Sequence, residues 1–99
     1  MDFEWDENKR RRNLKKHGID FLEAAMVLAS ATVILEDCRR NYGEPRYLAL
    51  GEMKGLLFVV AFTLREDAIR LISARRGNAR ERKYYEERLC QESYSSQLK

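Results

Sequence analysis

Arg75 and Arg76 close the run Arg70-Leu71-Ile72-Ser73-Ala74-Arg75-Arg76, which starts as an apolar strand and ends just before Gly77-Asn78. A guanidinium fixed at the end of a rigid strand presents a planar fork of donors, the geometry that bidentate recognition of a phosphate requires. A second cationic stretch, Lys9-Arg10-Arg11-Arg12 with Lys15-Lys16, lies near the other end of the chain. Lys9, Asn13 and Lys16 fall at i, i+4 and i+7, a helical stripe suited to following a phosphate backbone, and Arg12 counts with them. The alternative for every one of these cations is a solvated face or a surface ion pair, such as Arg75 or Arg76 with Glu81 or Glu86.

The remaining candidates are few. His17 is the one histidine and stands at a helix C-terminus, where the dipole favours its cation. It can serve as a proton donor or base near neutral pH, or it can be a half-buried residue bonded to a loop carbonyl. Tyr84 and Tyr85 point to different sides of one helix; Tyr85, four before Leu89, is the expected packer and Tyr84 the ring free to meet a base or phosphate. Arg70 and Arg80 extend the cationic set. By strand alternation Arg76 shares a face with Arg70, while Arg75 shares one with Leu71 and Ser73. Glu81 reads as a helix-cap partner of Asn78 and Trp5 as core.

The elements that must hold these residues follow from local pattern. Phe3-Glu4-Trp5 is a brief strand. Asp6 caps a polar helix over 7–17 that Gly18 stops, anchored by Leu14 and Trp5. Asp20 with Glu23 forms a capping box before the short apolar helix Ala24–Ala29. Thr32 to Asp37 reads as a strand, 38–45 as an exposed loop, Arg46 to Glu52 as a strand, then Leu56–Leu64 and Ala68–Arg75 as two more joined by short turns. The run Leu56–Leu64 is apolar at successive positions, so it must be covered on both faces or lie centrally. Asn78 opens the last helix, which runs to about Cys90. The expectation is an α+β domain of order β-α-α-β-β-β-β-α over residues 1–91, its twisted sheet antiparallel, with two N-terminal helices, one C-terminal helix and a polar tail over 92–99.

Ninety-nine residues make one domain with one modest core. The formal charge of +3 conceals two clusters of six cations each, in residues 9–16 and 75–88, so a polyanion is the first partner to consider. Cys38 and Cys90 form no disulfide framework or zinc spacing and are expected as free, inert thiols. The acidic start lacks the order of a signal peptide, and the longest apolar run is less than half a bilayer span; a cytoplasmic protein with no membrane partner is expected.

Two separated blocks match a known pattern. Phe3-Glu4-Trp5-Asp6-Glu7-Asn8-Lys9, Asn13 and Lys16-His17-Gly18-Ile19-Asp20-Phe21-Leu22-Glu23-Ala24 closely resemble the opening of the BrnT toxins of bacterial type II toxin–antitoxin systems. Arg70-Leu71-Ile72-Ser73-Ala74-Arg75-Arg76 with Glu81-Arg82 and Tyr84-Tyr85-Glu86 looks like that family's closing signature. The resemblance implies a RelE-like fold and a metal-independent endoribonuclease that arrests translation. It also implies a ribbon-helix-helix antitoxin of the BrnA type, a 2:2 assembly with it, and contact with operator DNA through that complex.

The chemistry is compatible with the residues at hand. RNA carries its own nucleophile in the 2′-hydroxyl, so a protein need only move protons and offset charge on the phosphorane. The sequence has no acidic cluster suited to two magnesium ions, and a paired-histidine mechanism is impossible with one histidine. No cofactor is expected. Arg75, Arg76, His17, Lys16 and Tyr84 are the expected catalytic set, and Lys9, Asn13, Arg12, Arg70 and Arg80 the expected RNA contacts. Two other readings stand beside this one: a protein-binding toxin of the ParE gyrase-poison type, and a non-catalytic nucleic-acid-binding module.

Overall fold

A computed structural model describes residues 2–30 and 33–97, with side chains described as far as Leu89. The elements are β1 (Asp2–Glu4), α1 (Glu7–His17), α2 (Phe21–Ala29), β2 (Val33–Glu36), β3 (Tyr47–Met53), β4 (Leu56–Arg65), β5 (Ala68–Arg76) and α3 (Ala79–Gln97). This is the α+β order expected. Thr32, the expected first residue of the second strand, lies outside the described residues.

The five strands form one sheet in the order β1-β5-β4-β3-β2. Tight turns dictate most of it. Lys54 and Gly55, both at positive φ (55° and 77°), make the two-residue connection that returns β3 into β4, and Glu66 (φ 50°) serves the turn into β5. Such turns force antiparallel pairing from β3 to β5. β1 departs from the expected antiparallel sheet: it runs parallel to β5, with Phe3 opposite Ile69. No hairpin joins it to its neighbour, since two helices and three strands intervene, so nothing local imposes a direction. The sheet is therefore mixed.

β4 is covered on both sides, as its composition requires. Phe58, Val60 and Phe62 point to one face and pack with Phe21, Ala24 and Val27 of α2, with Ile19, and with Leu71 and Ala74 of β5. Leu57 and Val59 point to the other and pack with Val33, Leu50 and Tyr85 of α3. The domain is thus three layers, α1 and α2 on one face of the sheet and α3 on the other, and each large side chain fully buried contributes about 1.5–3 kcal/mol.

Two local expectations are corrected. Leu14 does not anchor α1: it is 45 % exposed, and the buried residue of that helix is Asn13. α3 continues to Gln97, past the expected end near Cys90 and into the polar segment, because no glycine or proline follows Gly77 to break it. Trp5 packs edge-on against Phe21, ring centroids 6.2 Å apart, and its Nε1–H donates to Glu7.

Candidate nucleic-acid interface

α1 is fixed on three sides by its polar residues. Asp6 caps its start by accepting from the N–H groups of Asn8 (2.8 Å) and Lys9 (3.3 Å), and Gly18, at φ 72°, closes its end by donating to the Leu14 carbonyl. Arg10 donates through Nε and Nη2 to both oxygens of Asp20 (2.8 and 3.0 Å), the N-cap of α2, so the two helices are tied at that point. Asn13 turns the other way. Its Nδ2 donates to the carbonyls of Ile19 (3.0 Å) and Ala74 (2.9 Å), and its Oδ1 accepts from the Ala74 N–H (3.0 Å). β1 pairs with β5 only as far as Arg70, so the amide of Asn13 takes the place of a further strand along that edge.

This arrangement decides where the free cations go. With Arg10 turned to α2 and Asn13 to β5, the residues Lys9, Arg12, Lys16 and His17 line a groove of about 400 Å³ against Ile72 and Ser73. Among the described residues none of Lys9, Arg12 and Lys16 has a carboxylate partner, and the His17 ring is exposed. Two other concavities differ in charge. One of about 520 Å³ along the 36–46 segment sets Glu36, Asp37 and Glu44 beside Arg40 and Arg46. Another of about 360 Å³ by the β4–β5 turn is mostly acidic, with Asp2, Glu4, Glu66 and Asp67 around Arg65. Of the three, only the α1–β5 groove is lined by no carboxylate, and it alone matches a polyanion.

The strand-end arginines separate. Ala61 pairs with Ser73 and Phe62 with Leu71, so Ile72 is an extra residue in β5, a bulge that reverses alternation beyond it. Arg75 consequently lies opposite Val59 on the α3 face, as Arg70 lies opposite Thr63, while Arg76 lies opposite Phe58 on the α1/α2 face with Leu71 and Ala74. The simple parity expectation, Arg76 with Arg70 and Arg75 with Leu71, is overturned by that single bulge. Arg75 donates to both oxygens of Glu81 (2.9 and 2.7 Å). That bond raises the Arg75 pKa and lowers that of Glu81.

The other expected site residues are scattered. Arg70 faces Glu4 of β1 at 3.9 Å, and Arg80 is exposed in the first turn of α3. Tyr85 is buried, as expected of the packer. Tyr84 is half-buried against the α3-side core, with the Arg88 guanidinium 4.9 Å from its ring centroid, so it is not beside the groove. Lys9, Arg12, Lys16 and His17 are thus brought together, Arg75, Tyr84, Arg70 and Arg80 are not, and Asn13 has both amide protons engaged inside the fold. The one uncharged polar residue in Lys9-Arg10-Arg11-Arg12-Asn13-Leu14-Lys15-Lys16 is the residue that is buried, and that contrast was the available signal. Ile72 and Ser73, the far wall, carried none.

Sequence reading also passed over Asp37. It is buried, accepts from Arg39 through Nε and Nη2 (both 2.8 Å) and from the Tyr42 hydroxyl (3.1 Å), and the Arg39 bonds hold its carboxyl well below the usual range. It organises the loop leading to β3. Among the described residues no three His, Cys, Asp or Glu side chains converge as metal ligands, and no helix is long and apolar enough to cross a membrane. Cys38 is an exposed free thiol; the side chain of Cys90 lies outside those described.

A small α+β domain whose sheet edge and first helix enclose a carboxylate-free cationic groove has the build of a polyanion-binding protein. The family model described as the ribonuclease toxin BrnT of type II toxin–antitoxin systems matches residues 5–81. The chain belongs to that family of ribonuclease toxins, and membership of a type II toxin–antitoxin family implies an antitoxin partner. No curated protein matches it.

Proposed function

We propose that this toxin is a metal-independent endoribonuclease that arrests translation in the cytoplasm, with one RNA strand lying in the α1–β5 groove. The observation that carries the reading is the groove's charge: Lys9, Arg12, Lys16 and His17 face Ile72 and Ser73 with no carboxylate among them. A two-metal nuclease gathers carboxylates at its centre, whereas this groove offers cations and an imidazole. Lys9 and Arg12 hold phosphates. Lys16 offsets charge on the phosphorane, and His17 transfers a proton. The 2′-hydroxyl gives its proton to the His17 imidazole as the 2′-oxygen bonds to phosphorus, the bond from phosphorus to the 5′-oxygen breaks, and the His17 imidazolium returns the proton to that leaving oxygen, giving a 2′,3′-cyclic phosphate and a 5′-hydroxyl. Arg76, on the same side of the sheet as α1, extends the cationic track at the end of β5.

The partner in this reading is a BrnA-type ribbon-helix-helix antitoxin, in a 2:2 assembly that contacts operator DNA through the antitoxin. The test is incubation of purified toxin with RNA in excess EDTA. Cyclic phosphate and 5′-hydroxyl ends are expected, and His17→Ala should lower kcat by about 10²–10⁴-fold if the imidazole transfers the proton. Intact RNA, or cleavage that returns only with added magnesium, would defeat the proposal.

A further inference from the structure

Arg75 is held differently from the other arginines on the α3 face. Glu81 grips it end-on, Nη1 to Oε1 and Nη2 to Oε2, and the Arg76 carbonyl accepts from Nη1 at 3.2 Å. A guanidinium has five N–H groups, and these three bonds leave Nε–H and the outer Nη2–H, which lie parallel along one edge. Arg10 uses that same edge to bind Asp20. In Arg75 no described residue accepts from it, and the side chain is 35 % exposed. Glu81 cannot swing away freely, because it is half of a reciprocal cap: its carboxylate accepts from the Asn78 N–H (2.9 Å) and its own N–H donates to Asn78 Oδ1 (2.8 Å).

We propose that Glu81 is a positioning residue, fixing Arg75 so that its side-on fork stands open to receive a phosphodiester of the RNA on the α3 face of the sheet. The strand leaving the groove would then meet an arginine on either side of the end of β5, Arg76 first and Arg75 beyond. This rests on the ribonuclease reading for its substrate, but the pairing can be tested without cleavage.

The sign of the effect separates positioning from simple charge. Removing a carboxylate beside a bound polyanion should tighten binding if Glu81 acts only through its charge. If it positions Arg75, Glu81→Gln weakens binding, because the amide keeps the helix cap but cannot hold the guanidinium end-on. The experiment is a double-mutant cycle of wild type, E81Q, R75A and R75A/E81Q, measured as the Kd for a non-cleavable 2′-deoxy oligonucleotide and as kcat/KM on RNA, with Tm recorded throughout. E81Q should weaken binding and kcat/KM by about threefold or more with Tm nearly unchanged, and should add nothing in the R75A background. Tighter or unchanged binding by E81Q, an equal loss in the R75A background, or wild-type binding by R75A would overturn it. A wild type that binds but cuts no RNA would remove the ribonuclease reading and leave the binding cycle to decide the role of Glu81.

Discussion

Past Arg70 no described strand lies along the β1-side edge of β5, and the Ala74 N–H and carbonyl would lack partners on that edge without the amide of Asn13. Asn13→Ala removes three hydrogen bonds and leaves buried backbone groups unpaired, a loss of about 2–4 kcal/mol. Asn13→Asp should be worse at neutral pH, since a carboxylate has no proton for the carbonyls of Ile19 and Ala74. Leu14→Ala, one position on, should cost less than about 1 kcal/mol because that side chain is 45 % exposed. Urea unfolding of the three variants checks the contrast, and equal losses for Asn13→Ala and Leu14→Ala would mean that the amide does not secure the edge. Sequence pattern put these two residues in reversed roles, for a physical reason. Hydrophobicity predicts burial from the side chain alone, but a helix that crosses an open sheet edge must answer the backbone there, and an amide does that where a leucine cannot.

Element boundaries were legible wherever a local device sets them: Asp6 and Gly18 around α1, Asp20 with Glu23 at α2, Lys54-Gly55 between β3 and β4, Asn78 with Glu81 at α3. The bulge at Ile72 was not, because an apolar residue in an apolar strand looks the same whether paired or inserted, and with it went the faces of Arg75 and Arg76. The direction of β1 was likewise invisible, being set by a distant strand. One junction allows a sharp test. Gly77 links β5 to α3, donates to the Leu57 carbonyl at 2.9 Å, and a Cβ there would stand 2.8 Å from Leu57 Cγ. Leu57 is 2 % exposed and part of the α3-side core, so it has little room to retreat. Gly77→Ala should therefore lower stability by about 1–3 kcal/mol, and Leu57→Ala in the same chain should recover part of that loss by clearing the overlap. Strictly additive losses in thermal unfolding would show that the junction relaxes some other way.

Across the whole molecule the charges fall into two populations, and each responds to a different variable. Asp20, Asp37 and Glu81 accept from Arg10, Arg39 and Arg75 respectively, and those bonds lower all three carboxyl pKa values in the folded state. Groups depressed on folding contribute stability that is fully present above their unfolded pKa, about 4, and is lost as pH falls through the folded values. Tm should accordingly hold near neutrality and fall below about pH 4, and Asp37→Asn, less stable at pH 7, should show a shallower acid decline. Lys9, Arg12 and Lys16 belong to the second population. They have no acidic partner among the described residues, so their charge is available to phosphates and their removal should leave Tm nearly unchanged. Each phosphate contact made to a single strand contributes about −0.7 to the slope of log K against log salt, so replacing all three by alanine should flatten that slope by about 2 for a 2′-deoxy oligonucleotide. Arg10→Ala should do the reverse, lowering Tm while leaving the slope in place, because its fork is already committed to Asp20. A triple variant that kept the wild-type slope would place the nucleic acid outside the groove, and an Arg10 variant that lost slope without losing Tm would show that the ion pair opens when RNA binds.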